Sequence, residues 1–170
     1  VLSIIIFGFG VTFISRLSSQ AIDIKDMTIG ELDGRIGKLV CEGSDRVCIG
    51  IDRKTITRTE FGVFGLDIVN IMDPPQGETQ VLFEIKVLPS SPMGYKKDKQ
   101  PIQPSSSFKG LVVNPVAREI VMKKNEERNI GIGIQVPSNA ISGTYIFNVE
   151  IKTADGKPYS NVQKLYVDVP

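Results

Sequence analysis

Residues 128–137 read RNIGIGIQVP and residues 144–153 read TYIFNVEIKT. In the first, Ile130, Ile132, Ile134 and Val136 alternate with Gly131, Gly133 and Gln135. In the second, Tyr145, Phe147, Val149 and Ile151 alternate with Ile146, Asn148, Glu150 and Lys152. Successive side chains of a strand point to opposite faces, so a period of two predicts strands with one buried face. The same period runs through TQVLFEIKVL, where Val81, Phe83, Ile85 and Val87 share a face opposite Glu84 and Lys86. It recurs in KLYVDVP through Leu165, Val167 and Val169. Weaker strands are expected at about 66–72, 111–113 and 119–122. Turn residues punctuate the series at 73–77, 123–127, 137–143 and 155–158. Seven short, one-sidedly buried strands predict a mainly β fold, an antiparallel β-sandwich of Ig-like type over 62–170.

Between Pro89 and Phe108 the alternation stops, and SSPMGYKKDKQPIQPSSS predicts a long exposed loop. Upstream, 23–61 is charged and glycine-containing, with short strands expected at Ile22–Met27 and Lys38–Cys41. LVCEGSDRVCIGID reads as a hairpin whose Cys41 and Cys48 enclose an eight-residue loop. A hairpin disulfide there removes roughly 2.5 kcal/mol of unfolded-chain entropy and implies an oxidising compartment, or a thermophile that keeps disulfides inside the cell. Free thiols are the competing reading. A zinc site needs more ligands than one cysteine pair supplies.

The chain has 170 residues, 20 basic and 19 acidic, for a net charge of +1. A near-neutral balance argues against nucleic-acid binding by phosphate neutralisation. There is no histidine, which removes the commonest general base and metal ligand. There is no GxGxxG or P-loop, and the glycine pairs Gly8/Gly10 and Gly131/Gly133 lie in an apolar run and on a strand's outward face. Asp23 with Asp26, and Asp52 with Glu60, read as solvated surface charge. No catalytic, cofactor-binding or metal-ligating residues are expected, so the chain reads as a non-enzyme without cofactor.

Residues 1–15, VLSIIIFGFGVTFIS, carry no charge. A helix over 1–22 would be roughly 33 Å long, close to the bilayer core. The segment suits a helix buried among identical helices, a membrane anchor, a retained signal sequence, or a donor strand pairing with another subunit's sheet edge. Its apolar members are Val1, Leu2, Ile4, Ile5, Ile6, Phe7, Phe9, Val11, Phe13 and Ile14. Burying them gains on the order of 20 kcal/mol before entropy costs, so an assembly or anchoring role is expected.

In SGTYIF, Tyr145 stands where a sandwich tyrosine hydrogen-bonds back across a corner, and it is expected to be buried with its hydroxyl near 137–143. The stretch 114–170, with a strand ending in V-P, a short loop, G-T-Y and two closing strands, resembles the Ig-like modules of archaeal envelope proteins. With the apolar N-terminal segment, the layout resembles archaeal type IV pilin-like and archaellum-related surface proteins. That resemblance implies a leader removed by a prepilin peptidase, a β-domain facing outward and a cell-surface location. It also implies self-association through the N-terminal segment, or an anchored module contacting an S-layer protein or glycan. The apolar run is shorter than a typical pilin helix, and Ile4–Ile6 fill the region where bacterial pilins carry an early glutamate. The expected organisation is an assembly segment (1–22), a disulfide hairpin with connecting strands (23–61) and a sandwich (62–170).

Overall fold

A computed structural model describes residues 23–36 and 45–170. After a 3-10 turn at Ile24–Asp26 and a short helix α1 (Ile29–Gly34), the described chain forms ten strands. They are β1 (Val47–Ile49), β2 (Arg53–Thr55), β3 (Phe61–Val69), β4 (Val81–Tyr95), β5 (Pro101–Ile102), β6 (Val112–Asn114), β7 (Ala117–Met122), β8 (Glu127–Gln135), β9 (Gly143–Thr153) and β10 (Gln163–Val169). Sheet A has the order β1-β3-β8-β6. Sheet B has the order β2-β10-β9-β4, with β5 and β7 pairing different parts of β4. All pairings are antiparallel except β2 with β10, which is parallel. The chain crosses between sheets from β3 to β4 and from β8 to β9, which makes an Ig-like β-sandwich.

The alternating positions meet between the sheets. Phe64, Leu66 and Ile68 of β3 and Ile130, Ile132 and Ile134 of β8 face Phe83, Ile85, Phe147, Val149 and Leu165 of sheet B, all at most 2% exposed. Each such burial contributes about 1.5–3 kcal/mol. Tyr159 closes the far end of this core, its ring 4.7 Å from Phe83 and its hydroxyl donating to the Val69 carbonyl at 2.6 Å.

Two expectations need correction. Ile22–Met27 is not a strand over its described part: Asp23 caps the 3-10 turn by accepting from the Lys25 N–H at 3.1 Å. The region preceding Cys48 also holds the helix α1. The stretch from Pro89 is not all loop, because β4 continues to Tyr95 across a bulge. At the bulge Pro89 pairs with Phe147 and Gly94 with Tyr145, so four residues of β4 stand against Ile146 alone. Gly94 permits this closeness, since a Cβ there would lie 2.1 Å from the Thr144 carbonyl oxygen. The remainder of the predicted loop buries Ile102 and Phe108. The expected hairpin lies partly outside the described residues; β1 itself pairs with β3, Cys48 opposite Asp67. No helix among the described residues is long and apolar enough to cross a membrane.

Candidate functional site

The part of the head nearest the apolar N-terminal segment is 23–36, and it lies on the outer face of sheet A. A six-residue helix is not stable alone in water. Thr28 starts α1 with a capping box: its hydroxyl accepts from the Glu31 N–H at 3.3 Å, and the Glu31 carboxylate accepts from the Thr28 N–H at 2.7 Å. These bonds, the backbone one first, hold the Glu31 carboxyl below its ordinary range. Tertiary contacts do the rest. Ile24, Met27 and Leu32 form a second apolar cluster with Phe61, Val63 and Val112, separate from the core between the sheets. The Arg35 guanidinium lies 5.3 Å from the Phe61 ring centre.

The two glycines of IGIGI make this docking possible. A Cβ on Gly131 would stand 2.5 Å from the backbone of Leu32, and one on Gly133 would stand 2.2 Å from the Ile24 side chain. The outward face of β8 is therefore covered, and both glycines are buried. Polar bonds fix the direction of the segment. Asn114 donates to the carbonyls of Ile24 at 2.7 Å and Met27 at 3.0 Å, and the Gln135 side chain accepts from the Ile24 N–H at 3.3 Å.

Asp33 supplies the strongest tie. Arg118, near the start of β7, donates two bonds to its carboxylate, each 2.8 Å. Pairing of β6 with β8 ends at Asn114–Gly133, and the Gly131 N–H beyond that point donates to the same carboxylate at 2.8 Å. Asp33 thus occupies the strand edge that β6 leaves open and joins the outer segment to sheet B through Arg118. Burial pushes the Asp33 carboxyl up, but the bonds from Arg118 and Gly131 and the nearby Arg128 charge outweigh it and hold it below the ordinary range.

Of the residues singled out from sequence, Val1, Leu2, Ile4, Ile5, Ile6, Phe7, Phe9, Val11, Phe13, Ile14 and Cys41 lie outside the described residues. Cys48 sits in β1, and no described cysteine is a free thiol. Beside it, the Asp67 carboxyl is pushed up by burial first and by Glu127 second, and its Oδ1 is buried with no hydrogen-bond partner. Tyr145 is 1% exposed; its hydroxyl donates to the Ile141 carbonyl at 2.8 Å and accepts from the Ile141 N–H at 3.1 Å. Asp33, Arg118, Asn114 and Gln135 were not anticipated. The available signals were the T-x-x-E spacing of Thr28 and Glu31 and the two glycines on one face of an otherwise β-branched strand. No group of potential metal ligands gathers among the described residues.

No protein-family model matches the chain, and no curated protein matches it in sequence. Among solved structures, the PapD-like domain 7 of human CEP192 is similar at 15% identity and a TM-score of 0.46, over 79% of this chain and 95% of that one. The E. coli chaperone DraB is similar at 16% identity and a TM-score of 0.40, over 73% of this chain and 55% of that one. The Salmonella enterica SafA pilin in complex with the SafB chaperone is similar at 10% identity and a TM-score of 0.38, over 76% and 57%. Identities this low carry no function from those proteins to this one, and the Ig-like sandwich stands on the strand order and register of the chain itself.

Proposed function

We propose that the chain is a structural subunit of an extracellular filament of the archaeal pilus or archaellum type, assembled through Val1–Ile14. The single observation that carries this reading is the fastening of 23–36 to sheet A. A sandwich on a free tether has no need of two glycines matched to Ile24 and Leu32, nor of a half-buried, two-bonded ion pair across 85 residues. A subunit that transmits force from an apolar assembly segment to its head does need a stiff joint there. In this reading the head is non-catalytic, binds no cofactor and faces outward at the cell surface, and Cys41–Cys48 is a disulfide.

Electron microscopy of the purified full-length protein is the test. Fibres are expected, and their loss on deleting residues 1–20. Filaments that persist without those residues contradict the assembly role. Non-reducing mass mapping should recover one peptide pair linked through Cys41 and Cys48; two alkylatable thiols contradict the bridge and the oxidising compartment with it.

The second reading is a membrane-anchored module, in which the same segment sits in lipid and the head contacts an S-layer protein or glycan. It is favoured by Lys96, Lys97, Lys99 and Lys109, carried on loops at the Gln135 end of the sandwich, where the Gln135 side chain accepts from the Ile24 N–H.

A further inference from the structure

The two ends of the sandwich differ in charge. The connection at 136–142 joins the Gln135 end of sheet A to the Gly143 end of sheet B, so 56–60, 96–100, 103–111 and 136–142 lie together at one end. These connections carry Arg58, Lys96, Lys97, Lys99 and Lys109 against Glu60 and Asp98. The opposite end, built from 70–80, 123–126 and 154–162, carries Lys123, Lys124 and Lys157 against Asp73, Glu78, Glu126 and Asp155. The balance is 5 − 2 = +3 at the first end and 3 − 4 = −1 at the second.

Three of the four lysines of the first end, Lys97, Lys99 and Lys109, are exposed and Lys96 is half-buried. None of the four makes an ion pair among the described residues. Their loops are ordered by their own bonds. The Lys96 N–H donates to the Gln100 carbonyl at 2.9 Å, and the Asp98 carboxylate is engaged by the Gln100 N–H at 3.1 Å. The other loop is tied down where Phe108 is buried and its N–H donates to the Ser105 hydroxyl at 3.1 Å.

Asp23, the first described residue, lies at this same end. The Ile24 N–H bonds the Gln135 side chain, which places Asp23 beside the last residue of β8. Asp23, Lys25 and Asp26 lower the balance there by one, to +2. A cationic end that also holds Asp23, in a chain whose residues 1–15 are uncharged and apolar, suits a head resting on a charged bilayer surface. We infer that Lys96, Lys97, Lys99 and Lys109 form a docking surface for the anionic headgroups of the membrane in which Val1–Ile14 is seated. The inference rests on that segment leaving water for lipid, before assembly or as a permanent anchor.

The chain has no tryptophan, so a single introduced one reports its own surroundings. Full-length protein carrying Ser106→Trp in the lysine-bearing end, or Gln76→Trp at the opposite end, is reconstituted into two kinds of vesicle. One is phosphatidylcholine alone and the other contains phosphatidylglycerol, each with brominated acyl chains as quencher. Ser106→Trp emission should shift to the blue and be quenched in the anionic vesicles only, and the shift should be lost at high salt. Gln76→Trp should respond in neither. Replacing the four lysines by glutamine should abolish the Ser106→Trp shift while the protein still floats with the vesicles. Flotation with both vesicles and an unshifted Ser106→Trp overturns the docking surface and leaves the anchor standing. No flotation with either vesicle overturns both. A shift that survives the lysine replacements overturns the assignment of these residues.

Discussion

The protein has two apolar clusters, and they are built on different principles. The larger lies between the sheets and comes from strands that alternate large apolar residues with polar ones. The smaller lies outside sheet A and comes from Ile24, Met27 and Leu32 seated over two glycines. In the first, large side chains from both sides fill a space of ordinary sheet separation. In the second, β8 contributes backbone only at Gly131 and Gly133, and the segment comes close enough for Asp33 to take a strand-edge N–H. A core of the first kind tolerates volume-conserving swaps by repacking; a close backbone approach tolerates no added side chain. The larger cluster gives the sandwich its stability, while the smaller fixes residues 23–36 against sheet A.

Substitutions should separate the two. The largest effect is expected for Phe83→Ala, since Phe83 is 0% exposed and packs edge-on to Tyr159. A loss of about 3–5 kcal/mol in denaturant unfolding is predicted, lowering the stability of both regions together. Gly131→Ala should cost less, about 1–3 kcal/mol, and act locally, because the added methyl meets Leu32 backbone at 2.5 Å. The expected signature is faster hydrogen exchange in 23–36 with β9 and β10 still protected. Equal loss of protection throughout would erase the distinction between the two clusters.

Tyr145→Phe should cost about 0.5–1.5 kcal/mol, because it leaves the Ile141 N–H and carbonyl without their shared partner. Chemical denaturation checks this, and 23–36 should be unaffected. The smallest effect is acid release of the outer segment. The folded state holds the Asp33 carboxyl below its ordinary range, so its contribution is present above the unfolded pKa of about 3.9 and is lost as pH falls further. Exchange in 23–36 should accelerate, relative to the intrinsic rate, below about pH 4. In Asp33→Asn that pH step should shrink to the part contributed by the Glu31 carboxyl, which its bonds to Thr28 also hold below the ordinary range.

The same contrast explains what was legible in the sequence. Strands β9 and β10 and the first half of β4 announce themselves, because one-sided burial imposes a period of two. Tyr145 was legible because a corner tyrosine has a local setting, S-G-T-Y. The second half of β4 was hidden, since Pro89 and Pro92 interrupt the pattern where a bulge absorbs the irregularity. β2 was hidden because Arg53, Lys54 and Thr55 show no apolar alternation; it is an edge strand held by parallel pairing with β10 and by Arg53 on Asp168. The outer joint was the least legible. On a strand's outward face, glycines look the same whether water or a chain segment covers them. The pairing of Asp33 with Arg118 spans 85 residues and has no local signature.

The account turns on the joint at 23–36 being as firmly held as the sandwich itself, and native-state hydrogen exchange on the full-length protein tests that most directly. The Leu32 N–H donates to the Thr28 carbonyl at 3.1 Å and the Gly131 N–H to Asp33 at 2.8 Å. Both amides are predicted to exchange only with the cooperative opening that also exposes Phe147 and Val149 of β9. Rapid exchange at Leu32 and Gly131 while β9 remains protected would show a loosely tethered head and contradict a force-bearing joint.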